Sequence, residues 1–520
     1  MASSPCDSTE MSVLTDITSL TSLSEDDDVN NDSIGLIRPD EDESAGDSKS
    51  DSTTEFVHDD SDQSKATTKL RLFFLSTGIF GMSFLTYLFG VAVIPAQVRA
   101  LVGDEEKSLY LGVLLASGGV LAFSMSPLVG TFSDRLQSRF GKRTPFLAVS
   151  TGILCIVIFG MAASAPLPKA CGQNNTMNTT DTCYISPGPK PLCHNTTECR
   201  LPKQTARYAI YFISYVIMSG AYAVMSVSWN GLVPDVTPQH LRGFGSGLNG
   251  MMTLLGYGLG ALWNIFLTDI GIWPTYSVMA LIVLTTSLLT IFGVKEGPSS
   301  PRANAIPLTA KYVFISFWRP LKNHNFRWVF LTRFFMQMGL STIIGYLYYL
   351  FVDVIDLPKC MSPERATGFS LLPLLVVGGI AGAISGWLSD RIKRRRIFVA
   401  IGGFIMALIT GGIVSWTRSS VTAFVSMTVL GIGFGLYVSV DFALLLDVLP
   451  DQSTRANDIA VWHQSLLLPQ FLATPIAGVI IDKLQRVNCH AALGYRVVLG
   501  LTCFYYLLSG LFVFKIRNVR

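Results

Sequence analysis

From Leu70 onward, the chain repeats apolar runs of about 20 residues, each ended by a short polar, Gly/Pro-containing or basic segment. A helix of that length crosses the ~30 Å hydrocarbon core of a bilayer. The runs are continuous and do not alternate, which predicts helices and not barrel strands. Only 14% of the residues are charged, against about 25% in soluble domains. The sequence therefore predicts an all-α membrane protein.

Twelve such runs can be separated by their polar flanks. A polar connector, residues 295–325, divides them into a first half, 68–294, and a second half, 326–520. The predicted helices lie near 71–95, 108–129, 145–165, 207–234, 246–268 and 272–293, and near 327–352, 366–386, 397–416, 420–446, 457–482 and 493–515.

Basic residues collect on one side of the predicted membrane, in the loops after the second and eighth runs. Lys and Arg are enriched in cytosolic loops, so both loops are predicted to be cytosolic. An even helix count returns the C-terminus to the side of the N-terminus, which predicts that both termini are cytosolic. The two clusters are Arg135, Arg139, Lys142 and Arg143, and Arg391, Lys393, Arg394, Arg395 and Arg396.

Residues 1–67 are rich in Ser, Thr, Asp and Glu, a composition that predicts a disordered acidic tail in the cytosol. The tail has neither the basic start nor the apolar core of a signal peptide. Asp32, Leu36 and Ile37 fit the acidic dileucine pattern that endolysosomal sorting adaptors read. The pattern predicts residence in the plasma membrane or an endolysosomal membrane, although so short a match also arises by chance.

The loop at about 167–206 differs from the others in its cysteines and glycosylation sequons. Its topology predicts an extracytosolic position, where two disulfides form in an oxidising compartment and three pairings are open. The alternative is a loose loop of unpaired thiols with sequons arising by chance. The cysteines are Cys171, Cys183, Cys193 and Cys199, and the glycosylation candidates are Asn174, Asn178 and Asn195.

An internal repeat relates the two halves. Residues 130–135, GTFSDR, recur as residues 386–391, GWLSDR, each at the end of an even-numbered run. A second pair of landmarks follows, at Asp235 and Asp447. The first pair is offset by 256 residues and the second by 212, and the long extracytosolic loop explains the difference. Two parallel six-helix repeats are typical of carriers that open a central site alternately to either side.

Residues 130–146, GTFSDRLQSRFGKRTPF, resemble the signature SDRxxSRxGRRRPF of plant sucrose carriers and their animal relatives in the major facilitator superfamily. Lys142 departs mildly from it, and Thr144 replaces its third basic residue. The superfamily resemblance covers about 70–515 and implies a major facilitator fold of two six-helix halves. The matching residues are Asp134, Arg135, Ser138, Arg139, Gly141, Arg143, Pro145 and Phe146.

The duplicated motif predicts a gate at the cytosolic side. Gly130 and Gly386 are expected to let neighbouring helices approach closely. Asp134 and Asp390, at helix ends, are expected to pair with arginines of adjacent loops, or the charges only set topology. The candidate arginine partners are Arg242 and Arg455, and the remaining gate residues are Arg135, Arg139, Gly141, Arg143 and Arg391.

Polar residues within apolar runs are costly and mark functional sites. The resemblance places Asn230, Arg333, Gln337 and Asp441 on helices that line the cavity. Asp441 is the first candidate for a proton-coupling carboxylate, with a permanent ion pair to Arg333 or a charge at the cytosolic interface as alternatives.

His463 is a second titratable candidate, or a hydrogen-bonded packing residue. Several tyrosines are candidates for stacking on a sugar ring, or for packing and interfacial anchoring. They are Tyr87, Tyr346, Tyr348, Tyr349 and Tyr437.

The sequence lacks a phosphate-binding glycine loop, a metal-ligand cluster and a nucleophile with its base, which argues against an enzyme, a cofactor and a metal. It predicts a transporter of a small polar solute in the lipid bilayer, either proton-linked or facilitative, with a sugar moved by proton symport as one candidate and no nucleic-acid partner. The alternative is a non-transporting nutrient sensor or receptor of the same fold.

Overall fold

The computed structural model describes residues 54–136, 138–165, 204–238, 241–294, 296, 318–358, 361–449, 455–488 and 491–517. The predicted sorting pattern, the sequons and the four loop cysteines lie outside the described residues. Residues Asp62–Arg520 form one compact unit. Residues Met1–Ser61 form another, of which residues 54–61 are described and are helical.

Twelve helices in the described part of the chain are long and apolar enough to cross a membrane, which confirms the predicted number. The twelve are α1 (Thr54–Leu88, a π-helical turn Phe89–Val93, and Ile94–Val102), α2 (Lys107–Arg135), α3 (Thr144–Ser164), α4 (Thr205–Val236), α5 (Arg242–Ile270), α6 (Ile272–Gly293), α7 (His324–Asp353), α8 (Pro363–Ile392), α9 (Arg395–Leu408, with a π-helical turn Ile409–Val414), α10 (Ser420–Val448), α11 (Arg455–Val487) and α12 (Leu493–Phe512).

The described residues contain no β-strand, and their single β-bridge joins Asp356 to Ser419. This follows from the solvent, because in lipid a helix satisfies every backbone polar group within its own segment. Several helices run past the predicted ends. α11, for example, is continuous through Pro469 and Pro475 to Val487.

Small residues allow α8 and α10 of the second half to cross in close backbone contact. A Cβ added at Gly435 would lie 2.1 Å from the Gly378 carbonyl, and one at Gly431 would lie 2.4 Å from the Leu374 carbonyl. Only glycine allows such backbone contact, which membrane helices use in place of a hydrophobic driving force. The crossing fixes the position of α10, which carries Asp441.

In the described residues the halves meet mainly where α2 packs on α11 and α5 on α8, and the π-helical turn of α1 also packs on α7 and α8. We call one end of the bundle the basic end; it holds the turns before α3 and α9, with Arg143 and Arg395. The opposite end holds the start of α2 and the end of α7, at Lys107 and Asp353, which are in contact.

Candidate functional site

A buried ion pair joins α7 to α10 within the membrane-spanning part of the second half. The guanidinium of Arg333 donates a hydrogen bond to the carboxylate of Asp441, which is 3% exposed. Removing one partner of such a pair is strongly destabilising, because the other charge is left uncompensated away from water. The contact joins the two residues that the ion-pair alternative named, and the coupling role of Asp441 stays a prediction.

An aromatic ring from a third helix completes the site. The guanidinium carbon of Arg333 lies 3.6 Å from the ring centre of Trp462 in α11, and Trp462 is buried. A cation over an indole face is stabilised by the ring quadrupole, most strongly where water is excluded. Tyr437 lies beside Asp441 one turn earlier on α10, and His463 lies near Arg333. Helices α7, α10 and α11 thus converge on one cation.

The remaining predicted pathway residues are placed differently. The side chain of Asn230 is exposed and donates to the Ser226 carbonyl of its own helix at 2.8 Å. Gln337 is half-buried one turn after Arg333 on α7. The structure therefore brings together Arg333, Asp441 and His463, and adds Trp462. Sequence reasoning missed Trp462. The signal that could have found it was its neighbour His463, which was already a candidate site residue.

A charge cluster joins the halves at the opposite end. The ammonium of Lys107 contacts Asp104 at 3.0 Å and Asp353 at 2.6 Å, with the lysine side chain 3% exposed. Arg99 contacts Asp104 at 2.7 Å. Burial would raise the pKa of Asp104, but Lys107 and Arg99 outweigh it and hold the pKa well below its usual range. Tyr495 of α12 donates to the Asp353 carboxylate.

A carboxylate of the second half caps a helix of the first half at the same end. Asp482 of α11 is buried and accepts the backbone N–H of Leu109, in the first turn of α2, at 2.7 Å. The first turn of a helix has unpaired N–H groups and a positive dipole end, so a carboxylate there is stabilising. Asp482 therefore contributes to closure of the opposite end.

Two of the predicted tyrosines reinforce this closure. Tyr346 donates to the Thr474 carbonyl at 2.6 Å and lies 3.0 Å from the Ser108 carbonyl. Tyr349 donates to the Pro95 carbonyl at 3.0 Å. Both rings are buried; the Tyr349 hydroxyl bonds backbone of the first half, and the Tyr346 hydroxyl lies between backbone carbonyls of the two halves. These contacts match the packing alternative for the tyrosines.

At the basic end, each half holds an arginine at a helix start beside an aspartate at a helix end. Arg143 lies 3.8 Å from Asp235, and Arg395 contacts Asp447 at 2.7 Å. Arg395 also contacts Asp390 at 3.0 Å. The repeat had marked both Asp235 and Asp447, but sequence reasoning did not join them to these arginines.

The first-half turn has an additional anchor in Glu296, which follows α6. The Glu296 carboxylate accepts the backbone N–H groups of Lys142, Arg143 and Thr144 at 2.9–3.1 Å. Gly141 precedes them with φ of +92°, a conformation that favours glycine. The turn residue that departs from the sucrose-carrier pattern, Thr144, also donates its hydroxyl to Glu296.

The predicted gate is described only in part, and its two glycines do not show the expected close helix approach in this structure. A Cβ added at Gly130 would meet no described atom within 4 Å, and one at Gly386 would meet Ser439 at an ordinary 3.9 Å. The close approach of α8 to α10 is further from the loop, at Gly378. Arg139 is exposed, and Arg391 lies over the exposed Trp387 ring at 5.4 Å. The side chains of Asp134, Arg135, Arg242 and Arg455 lie outside the described residues.

Together, twelve spanning helices, a duplicated turn and a membrane-buried ion pair define a polytopic membrane protein of the transporter type. A profile of the Major Facilitator Superfamily matches residues 204–468, just over half of the chain. The chain belongs to this superfamily.

Two plant relatives share a short segment with the chain. The sucrose transport protein SUT5 of Oryza sativa subsp. indica and that of subsp. japonica are each 30% identical over 81 residues, 16% of this chain. The match spans 14% of the length of these relatives.

Solved structures share the fold at low identity. A D-xylose-proton symporter has a TM-score of 0.61 at 16% identity, covering 87% of this chain and 98% of that one. The nucleoside transporter NupG has a TM-score of 0.58 at 13%, covering 87% and 100%. A bacterial homolog of the human lysosomal transporter Spinster, inward-facing and unoccupied, has 0.58 at 14%, covering 87% and 97%.

Proposed function

We propose that the protein carries a small polar solute, with a sugar as the first candidate, across its membrane by proton-coupled alternating access. The observation that carries the proposal is the Arg333–Asp441 pair, a titratable carboxylate buried against a cation inside the membrane-spanning part. Ionisable groups at such depth are costly to bury and mark solute or proton pathways.

The chemistry follows from Arg333 and the two groups that hold it, Asp441 and Trp462. While Asp441 is ionised, it holds the guanidinium, which also covers the face of Trp462. A proton on Asp441 cancels that attraction and frees the N–H donors of Arg333. Hydroxyl groups of a solute then accept from Arg333, and the released indole face takes the apolar face of a sugar ring.

Closure at the opposite end supplies the second part of the proposal. Lys107, Asp482, Tyr346 and Tyr349 all bond across the two halves there. Breaking these contacts while forming others at the basic end is the exchange that alternating access requires. The two halves then rock about a central solute site, to which the second half contributes the Arg333 site on α7, α10 and α11.

The short likeness to plant sucrose transport proteins and the fold shared with a D-xylose-proton symporter support a sugar and a proton. Purified protein in liposomes should accumulate a labelled sugar from a panel of sugars, nucleosides and amino acids when the outside is more acidic. Arg333→Gln should abolish accumulation, whereas Arg418→Gln, which removes a half-exposed ion pair with Asp356, should retain it. Binding of a solute without any uptake by the wild type would contradict transport and favour the sensor alternative.

A further inference from the structure

Four consecutive basic residues, 393–396, form the turn between α8 and the start of α9. One of them is in ion pairs, and the other three line a cavity. Arg395 contacts Asp390 and Asp447, so its charge is compensated. The other three line a cavity of about 620 Å³ at the basic end, near the end of α12. The lining residues are Lys393, Arg394 and Arg396, with Ile392, Ile397 and Phe514.

In the described part of the chain, the cavity has a cationic wall with no acidic residue in its lining. Within the described residues, neither Lys393 nor Arg394 is in an ion pair. Arg396 donates one N–H to the Ile516 carbonyl at 2.6 Å, which leaves its other donors available. Three like charges around one space repel each other, and an anion placed among them relieves that repulsion.

One residue of this wall, Lys393, has an unfavourable backbone conformation. Lys393 has φ of +56°, in the left-handed region, and its N–H closes α8 on the Ser389 carbonyl at 2.9 Å. Glycine is the usual residue at this position after a helix, because it has no Cβ to strain. A lysine here adds a cation to the cavity where a glycine would add none.

The other wall of the cavity is apolar and lies where lipid is expected. Ile392 and Phe514 are 48% and 56% exposed at the ends of two spanning helices. Trp387, one turn and a half earlier on α8, is also exposed and carries Arg391 over its ring. Tryptophan is enriched at the level of lipid headgroups. A soluble anion would contact only the cationic wall, whereas a phospholipid contacts the cationic wall with its phosphate and the apolar wall with an acyl chain.

We propose that the cavity formed by Lys393, Arg394, Arg396, Ile392, Ile397 and Phe514 binds an anionic phospholipid. Its phosphate lies among the three cations, and an acyl chain lies along the apolar wall. The turn that the lipid occupies also carries Arg395, so the site adjoins the contacts that tie α8, α9 and α10 together. The site does not depend on which solute is carried, or on whether any solute is.

The test uses the detergent-purified full chain titrated with a fluorescent phosphatidylinositol phosphate. Each Lys or Arg near an anionic lipid contributes about fivefold in affinity. The triple variant Lys393→Gln/Arg394→Gln/Arg396→Gln should therefore bind on the order of a hundredfold more weakly. Lys393→Gln/Arg394→Gln leaves the Ile516 contact intact and should lose about thirtyfold, with an unchanged thermal transition as evidence of folding.

A matched control removes three exposed cations of the same end that do not line the cavity. Arg319→Gln/Lys322→Gln/Arg327→Gln has the same charge loss and should bind like the wild type. An equal loss in this control would overturn the proposal in favour of diffuse attraction. Binding of free inositol phosphate or inorganic phosphate as tight as that of the lipid would overturn it in favour of a soluble anion. Phosphatidylcholine should compete poorly.

Discussion

Removal of the Asp353 carboxylate should loosen the junction between the halves at the opposite end. The Lys107–Asp353 contact, 2.6 Å long, is almost fully buried. A hydrogen bond to a charged group contributes about 1.5–3 kcal/mol. Lys107 retains Asp104 at 3.0 Å in the variant, so we expect a loss of about 1.5–2 kcal/mol, the lower part of that range. Asp353→Asn should then shift the equilibrium toward the form open at this end by about ten- to thirtyfold.

Single-molecule energy transfer measures these populations. Fluorophores attached to unnatural amino acids at Glu105 and Val487 report the separation of the halves, because both side chains are exposed and lie in opposite halves. Arg486→Gln is the matched control, since it removes the exposed pair with Glu106 across the same junction. Exposed pairs contribute about 0–1 kcal/mol, so its shift should be small. Equal shifts in the two variants, or none in Asp353→Asn, would refute the reasoning.

Three further outcomes follow from the same contacts. Gly435→Ala should cost about 1–3 kcal/mol and lower the melting temperature, because its Cβ would meet the Gly378 carbonyl, whereas Gly250→Ala, with no described atom within 4 Å, should not. Asp482→Asn should speed hydrogen exchange at the Leu109 amide about fivefold by weakening the cap on α2, with amides in α6 as the internal reference. The pKa of Asp104 is depressed in the folded protein, so its stabilisation is complete above the unfolded value of about 3.9 and is lost as the pH falls further. Asp104→Asn should therefore melt lower than the wild type at pH 7, and the difference should shrink below about pH 4; a constant difference would contradict the assignment.

The helices could be predicted because their signal is local. Each apolar run specifies its own helix, and lipid leaves the backbone no alternative. The repeated motifs alone then divide the helices into two halves, because they do not depend on contacts between distant residues. Boundaries were predicted less well: α11, for example, runs over Arg455–Val487, whereas the predicted helix covers 457–482.

The contacts between distant residues were only partly predictable. Arg333 and Asp441 stood out because charges in apolar runs are rare. Lys107 and Asp482 gave no comparable signal, because both lie near helix ends, where charged residues are common. Their partners are 246 and 373 residues away in the chain, and only the folded bundle brings the start of α2 to the end of α7 and to α11.

The proposed coupling role of Asp441 is tested most directly by proton movement driven by solute. Liposomes containing the protein and a pH-sensitive dye receive the solute identified by the uptake panel. The wild type should take up protons with the solute. Asp441→Asn should exchange solute across the membrane without moving protons, while Asp356→Asn, a half-exposed acid outside the site, should behave like the wild type. Proton uptake that persists in Asp441→Asn would contradict the account.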